Sequence, residues 1–456
     1  MKTISKYILT AAVLLSFSSC KKFLDREPIA QITPENIFTS EQGAQSAVMG
    51  VYRTQLGAFS YGQSLVIVPE FSARQVNHVS SYPEYVDFKT NTVRIDNPWV
   101  QNIWTAAYAA INAANNVVVK VAAMPDGAIT SEKRQQFVRE GRFIRALSYF
   151  NLVRAFGDVP LILTPTGEND NLKVPRNAVA EIYAQIITDL KEAANLPNSY
   201  ANIAETRGRA TGNAAKALLA KVYLYNGSVT NNYTEAARLA QEVISSGGTS
   251  MPVDFGSIWT TKNTSESIFE LQFDAQATNS LASVSNPNPS VLFYAEGKSI
   301  ADLYDAADKR GKFTVYKNTP EDARYYIGKY RIFSPALQNF PVIRLAEIYL
   351  IHAEAQARVD GTVSAASYDS YKKVRDRAGI TTPDISSFTS VATFVTAIQK
   401  EKRLEMMFEG EAWFDYCRTG LALTDMMSKA DANYFFYPIP DAERRNNPSL
   451  TQNKGY

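Results

Sequence analysis

The 456-residue chain is poor in the residues on which many catalytic and redox sites depend. It contains two histidines, His78 and His352, and two cysteines, Cys20 and Cys417. Neither histidine has the two-histidine spacing of a helical zinc site. The sequence also lacks a Cys-x-x-Cys pair, a Gly-x-Ser-x-Gly elbow and a dinucleotide-binding glycine pattern. We therefore expect no metal, no cofactor and no enzyme activity.

An excess of charge of either sign is also missing. The chain has 47 basic and 45 acidic residues, and two of the basic ones, Lys2 and Lys6, lie in a segment that we expect to be removed. The mature chain would then be balanced in charge. Because nucleic-acid binding depends on a basic surface, we expect no nucleic-acid partner.

Long apolar runs are absent apart from the start of the chain. There, two lysines precede the apolar run from Tyr7 to Phe17, and two serines precede Cys20. The run is too short to span a bilayer, which takes about 20 apolar residues, and its layout is that of a secretory signal peptide over residues 1–19. A cysteine directly after the small residues resembles the bacterial lipoprotein box, which predicts lipidation of Cys20. Ordinary secretory cleavage is the alternative, and it would leave Cys20 as an exposed thiol.

The remainder of the chain is predicted to begin with a tether and to continue as helices. Residues 20–40 are polar and contain two prolines, which favours an extended lipid-anchored tether. A helix is predicted from Glu41 to about Leu56, a second from Trp99 to near Pro125, and a third that ends before Gly157. The second half of the third helix, Ala146 to Phe156, is apolar on nearly every side, so it must be buried by other helices.

Two segments share the plan of a tetratricopeptide unit, which is a pair of helices of about 34 residues. They run from Ala214 to Gly247 and from Ile343 to Gly379. A looser third pair is formed by the stretch from Glu140 to Ile162 and the helix from Ala178 to Ala194. Since one helical pair cannot cover its own apolar face, such pairs stack. We predict a mainly α fold, a tetratricopeptide-like α-superhelix with loop-rich insertions and a few short strands.

We divide the predicted helical part of the chain into an N-terminal region, residues 41–244, and a C-terminal region, residues 245–456. In the N-terminal region, residues 61–99 contain three prolines, and their apolar residues show little periodicity. We interpret this segment as a long loop that binds the ligand. In the C-terminal region, residues 245–339 form the principal insertion before the later helical pair.

Charged residues on the predicted helices have two interpretations. We interpret Arg142, Arg145 and Arg154 as groups that form ion pairs or cap carbonyls at a helix surface, with ligand binding as the alternative. Four carboxylates interleaved with basic residues are interpreted as a solvated, salt-bridged face: Glu401, Glu405, Glu409 and Glu411. Glycosidase carboxylates can come from anywhere in a chain, so a glycoside hydrolase remains a distant alternative.

Several ordered stretches resemble one known family. They are RFIRALSYFNLVRAFGDVPLI from Arg142, KYR from Lys329, FPVIRLAEIYLIHAEA from Phe340, KEKRLEMMFEGEAWFDYCRTG from Lys400 and the ending from Tyr437. These stretches resemble the SusD/RagB family of surface lipoproteins, which capture nutrients, mostly glycans. The resemblance implies a lipid-anchored, surface-exposed outer-membrane protein that delivers an oligo- or polysaccharide to a TonB-dependent (SusC-like) transporter. A helical-repeat scaffold lipoprotein that only organises partner proteins is the alternative function.

A carbohydrate site needs exposed flat aromatic rings beside polar side chains, since sugars present C–H faces and hydroxyl edges. Trp99 is the first candidate, because it follows Asp96-Asn97-Pro98 at the junction of a predicted loop and helix. The full candidate set is Tyr82, Tyr85, Trp99, Asn102, Trp259 and Tyr294. For each ring, a place in the core is the alternative interpretation.

Overall fold

A computed structural model describes residues 37–79, 82–230, 232–287, 292–427 and 431–456. The predicted signal peptide, Cys20 and nearly all of the predicted tether lie outside these ranges, so their assignments stay predictions. The described residues form a mainly helical protein with few short strands, which confirms the predicted fold class.

The first helices run in chain order through the N-terminal region. They are α1 (Glu41–Thr54), α2 (Ser64–Ser72), α3 (Glu84–Lys89), α4 (Pro98–Asn116), α5 (Ser131–Phe156), α6 (Val179–Ala193), α7 (Ile203–Gly208), α8 (Gly212–Thr230) and α9 (Tyr233–Ser245). A π-helical turn, Val117–Val121, extends α4. The later helices are α10 (Ser257–Thr260), α11 (Ser280–Ser285), α12 (Lys298–Ala301), α13 (Gly311–Thr314), α14 (Leu345–Asp360), α15 (Ala365–Ala378), α16 (Val391–Glu405), α17 (Ala412–Thr419), α18 (Ala422–Asp425) and α19 (Asp441–Asn446). Two 3₁₀ turns, Ile385–Ser387 and Ala432–Tyr434, complete the set.

Six short strands in the described ranges pair as three antiparallel ribbons. The strands are β1 (Val76–His78), β2 (Ser267–Leu271), β3 (Phe293–Ala295), β4 (Val315–Tyr316), β5 (Tyr326–Ile327) and β6 (Phe340–Arg344). The pairs are β1 with β3, β2 with β6 and β4 with β5. Each ribbon therefore joins parts of the chain that are distant in sequence or closes a turn within the insertion.

Local sequence explains where the main helices begin and end. Ser40 accepts a hydrogen bond from the Gly43 N–H at 3.2 Å and caps α1, as its position before an acidic first turn predicts. Helix α5 ends at Gly157, whose φ of 71° lies in the left-handed region that favours glycine. The second half of α5 is buried throughout, which confirms its predicted place inside the protein.

The helical pairs stack on one another in chain order, and the stack continues across the long insertion. Helix α5 packs against α6, α8 packs against both α6 and α9, and α14 packs against α15 and α16. Helix α9 also packs extensively against α14, although residues 246–344 separate the two helices. The predicted helical pairs are confirmed, and the insertion leaves and rejoins a continuous stack.

Residues 61–99 are not a long loop, contrary to the prediction. They contain α2, β1 and α3, and α2 is almost completely buried against α4 and α17. The prolines that suggested a loop have other roles. Pro83 precedes the first residue of α3, and Pro98 occupies the first position of α4, where a missing N–H costs nothing.

The arginines of α5 are also placed differently from the prediction. Arg145 is buried and forms a two-point ion pair with Asp189, at 2.7 and 2.8 Å. Arg154 is buried and donates to Glu411 at 2.8 Å. The ion pairs were predicted, but not their burial. A buried guanidinium is tolerated here because a carboxylate compensates its charge.

The four glutamates near residue 405 are buried as well, so the interpretation as a solvated face is wrong. Arg344 contacts three carboxylates, with Glu266 at 2.8 Å, Glu409 at 2.9 Å and Glu405 as the third. Arg310 Nη1 lies 2.8 Å from Glu405 and 2.7 Å from Glu401. Burial raises the pKa of Glu405, but the surrounding arginines outweigh it and hold that pKa well below its usual range. These carboxylates are compensated structural charges.

Candidate functional site

The candidate site is built on a stack of three aromatic rings. The Tyr85 ring lies between Phe71 and Trp99, with centroid distances of 4.6 and 4.8 Å and interplanar angles of 20° and 21°. Phe293 meets Tyr85 edge-on at 5.1 Å. Trp99 is the outer, half-buried member of this stack. Its ring is therefore supported from behind by packed rings, as a sugar-binding platform requires.

Asn97 positions Trp99 at the first turn of α4. Its side chain accepts the Trp99 N–H at 3.0 Å and donates to the carbonyl of Glu84 at 2.9 Å and to Asp87 at 3.0 Å. This one buried amide thus caps α4 and fixes it to α3. The Asn-Pro pair before the helix is a sequence signal for this cap. The contacts of Asn97 with α3 could not be predicted from the sequence, because they depend on how the fold brings α3 and α4 together.

Tyr82 and Asn102 complete the exposed side of the stack. Tyr82 is 37% exposed, and its ring lies 6.2 Å from the Tyr85 ring. Asn102 follows Trp99 by one helical turn, so both side chains project from the same side of α4. Asn102 is half-buried and makes no side-chain hydrogen bond with any described residue. We call Tyr82, Trp99 and Asn102 the Trp99 face.

Tyr294 is not a member of the ring stack. It pairs with Asn77 in the β1–β3 ribbon, and its hydroxyl donates to the His78 carbonyl at 3.1 Å. Because successive strand residues point to opposite faces, Tyr294 lies on the other side of the ribbon from Phe293. The Arg324 guanidinium covers its ring at 4.9 Å.

Two of the six candidates are not exposed, which corrects the prediction. Tyr85 is 2% exposed, so it can only support Trp99 from behind. Trp259 is 1% exposed and lies in the core, where the Lys329 ammonium is 4.8 Å from its ring centroid and Tyr330 meets it edge-on. The aromatic residue type could not distinguish these positions, since core and platform use the same rings.

Other kinds of site find little support in the described ranges. No group of three or more His, Cys, Asp or Glu side chains there is arranged to hold a metal ion. His352 is buried and shares a hydrogen bond with Ser370 at 2.8 Å, while His78 packs edge-on against Phe71. Within the same ranges, no helix has the length and apolar character needed to cross a bilayer.

Comparison with known proteins identifies the family. A family model described as "Starch-binding associating with outer membrane" (SusD-like) matches residues 22–224, and a model of the SusD family matches residues 329–433. The chain belongs to the SusD family. This membership makes it a glycan-binding protein associated with the outer membrane, in a family of non-catalytic binding proteins.

Individual SusD relatives cover nearly the whole chain. A "SusD-like protein" from Bacteroides ovatus is 26% identical over 94% of this chain and 84% of its own length. A crystal structure of a SusD superfamily protein from Parabacteroides distasonis is 27% identical with a TM-score of 0.80, and covers 93% of this chain and 100% of that one. A structure described as "Laminarin binding SusD-like protein" is 26% identical with a TM-score of 0.77, and covers 92% and 100%. The SusD fold therefore extends over both predicted helical regions.

Proposed function

We propose that this SusD-family protein binds an oligo- or polysaccharide through the Trp99 face. Trp99 and Asn102 support this most directly. The indole ring is fixed by the stack on Tyr85 and by the Asn97 cap, and a half-buried amide with no hydrogen-bond partner among the described residues lies one turn away. A rigid ring that packs on a sugar face and an amide that bonds a sugar hydroxyl are the two elements that such a site needs.

Laminarin and starch are the first probes for the ligand. One SusD-like relative is described as laminarin-binding, and the matching family model as starch-binding.

The test is calorimetric titration of the purified protein with laminarin and with soluble starch. Trp99→Ala should weaken the binding by about two- to tenfold, because a stacked aromatic contact contributes ~0.5–1.5 kcal/mol. Asn102→Ala should weaken it by a similar factor through the lost hydrogen bond. Tyr368→Ala is the matched control, since Tyr368 is also half-buried and packs on another ring, Phe388, at 6.4 Å. Its affinity should equal that of the unmodified protein.

Two outcomes would contradict the proposed site. Unchanged affinity in a folded Trp99→Ala variant would show that the ring serves packing alone. Absence of saturable binding to any glycan in the unmodified protein would favour the scaffold alternative. Release of reducing ends during prolonged incubation would instead indicate a glycosidase.

We further propose that Cys20 carries the lipid anchor and that a TonB-dependent outer-membrane transporter receives the glycan. A protein that only binds a polymer cannot import it, and no described helix spans a membrane, so a separate channel is needed. The stacked helices offer a broad, rigid surface for that partner, which leaves the Trp99 face free for the ligand.

A further inference from the structure

A cavity of about 360 Å³ lies between the 198–200 loop, α7, the start of α8 and the turn that follows α9. Its lining is rich in amide and hydroxyl side chains, contributed by Asn198, Ser199, Asn202, Thr206, Asn213 and Thr249. Arg207 is the one charged residue among those that line it, and no carboxylate does so. None of these residues belongs to the Trp99 face. The cavity is at the small end of the range for ligand pockets, which suits a single sugar ring.

Arg207 is a buried cation that forms no ion pair with any residue of the described ranges. It is 6% exposed, its Nη2 donates to the carbonyl of Gly248 at 2.6 Å, and its buried Nε has no hydrogen-bond partner among the residues that the structure describes. The other fully buried arginines in the described ranges all contact a carboxylate; they are Arg145, Arg154, Arg209, Arg310 and Arg344. Arg207 therefore differs from every other buried arginine in the described part of the chain.

The missing carboxylate has a physical cost. A buried guanidinium needs a compensating anion, and burial lowers the pKa of Arg207 because that compensation is weak. Glu270 opposes this effect only in part. Its Oε1 already accepts hydrogen bonds from the Asn263 backbone at 2.9 Å and from the Asn339 side chain at 2.7 Å. An anionic ligand in the cavity would supply the charge that the protein leaves out.

The walls of the cavity are held in place by their own hydrogen bonds. Asn198 accepts the backbone N–H of Asn213 at 2.9 Å, and the Asn213 amide donates to the Ser246 hydroxyl at 2.9 Å. The Tyr200 hydroxyl donates to the carbonyl of Ala210 at 2.7 Å. These bonds join the loop, α8 and the turn after α9, so the polar lining is preorganised for a ligand.

We propose that this cavity binds a hexuronate residue, with the Arg207 guanidinium donating to its carboxylate and the surrounding amides and hydroxyls bonding its ring hydroxyls. Guanidinium groups match carboxylates in geometry and form charge-assisted hydrogen bonds with them. The need for an anion follows from Arg207 alone. The choice of a sugar acid rests on the proposed function, and it gives this protein a second glycan contact that selects acidic units.

The test is calorimetric titration with three probes: sodium glucuronate, glucose and sodium sulfate. Glucuronate should bind saturably, and glucose and sulfate should each bind at least about tenfold more weakly, because each lacks one of the two recognised features. Arg207→Met keeps the aliphatic stem and should weaken glucuronate binding by about tenfold or more. Arg238→Met, an exposed arginine on the neighbouring α9, is the matched control and should leave glucuronate binding unchanged.

A second variant keeps the test decisive if Arg207→Met does not fold. Ser199 is exposed and lines the cavity, so Ser199→Asp places a carboxylate near Arg207 without disturbing the core. It should reduce glucuronate affinity about as much as Arg207→Met. Equal affinity for glucose and glucuronate, equal affinity for sulfate and glucuronate, or unchanged binding in Ser199→Asp would each overturn the proposal. Laminarin binding by the unmodified protein is measured in parallel, because its failure would count against the Trp99 face and leave the glucuronate result intact.

Discussion

Arg154 and Glu411 are 257 positions apart in the chain, yet Arg154 Nη1 lies 2.8 Å from Glu411 Oε2 in the protein interior. The Phe150 and Phe414 rings lie 4.3 and 4.6 Å from the guanidinium carbon, and Lys221 also contacts Glu411 at 2.8 Å. The pair connects α5 to the start of α17. It thus joins the two segments that the family models match separately.

Arg154→Met should lower the free energy of unfolding by about 3–5 kcal/mol, because breaking a buried pair leaves a carboxylate poorly compensated. Denaturant unfolding followed by circular dichroism measures this. Arg238→Met, whose exposed ion pairs contribute little, should change the free energy of unfolding by less than about 1 kcal/mol. Equal effects of the two substitutions would show that the interior pair is not a major source of stability.

We expect the free energy of unfolding to depend on pH through the buried carboxyl group of Glu70. Burial raises its pKa to about 7, against hydrogen bonds from the Gly410 N–H at 2.7 Å and from Gln75. The folded state therefore holds a proton on Glu70 between the unfolded pKa of 4.5 and about 7. Stability from this group is complete below pH 4.5 and declines as the pH rises to about 7, by up to ~1.4 kcal/mol per pH unit.

Glu70→Gln should remove this contribution, so its free energy of unfolding should fall less steeply than that of the unmodified protein between pH 5 and 7. Chemical denaturation at half-unit pH intervals gives the difference between the two slopes, in which the contributions of all other groups cancel. Parallel slopes would mean that Glu70 does not titrate in this range.

Cys20→Ala should yield a folded protein that no longer fractionates with membranes. Acyl chains contribute ~0.8 kcal/mol per buried CH₂, and no described helix can replace them. Fractionation is best measured in cells without the proposed transporter, since a tight complex with it could retain the unlipidated protein. Persistence in the outer membrane under those conditions would refute the lipoprotein assignment.

An affinity tag inserted in the predicted tether, after Cys20, should recover a large barrel protein from gently solubilised membranes. A permanent complex of this kind buries more than ~2,000 Å² and is largely apolar at its centre. It should therefore survive washing in ~1 M salt, where the screening length is ~3 Å. Mass spectrometry identifies the partner. Recovery of the tagged protein alone, while other membrane complexes stay intact, would indicate an independent binding protein.

Helices and their boundaries were predictable because local chemistry sets them. Ser40 caps α1, Gly157 ends α5, and the helical pairs were visible as units of about 34 residues. The family was also recognisable, and the comparisons confirm it. These signals depend on neighbours within a few positions.

Burial of charge and of aromatic rings was not predictable in the same way. Glu405 has the same local pattern as a solvated glutamate, and its place in the interior depends on distant partners such as Arg310 and Arg344, 95 and 61 positions away. Likewise Trp99 and Trp259 are both tryptophans near helix starts, and their different exposure depends on what the fold places over each ring. Whether a charged group or an aromatic ring is buried therefore depends on residues that are far away in the sequence.

The direct packing of α9 on α14 means that both ends of the insertion leave from one place in the helical stack. The insertion could therefore be replaced as a unit, in natural variants or in engineered chimaeras, without separating α9 from α14. The buried charges restrict which replacements fit. Arg310 and Lys329 in the insertion meet Glu405 and Glu409 of the helical body, so an exchanged segment must bring cations to the same two carboxylates.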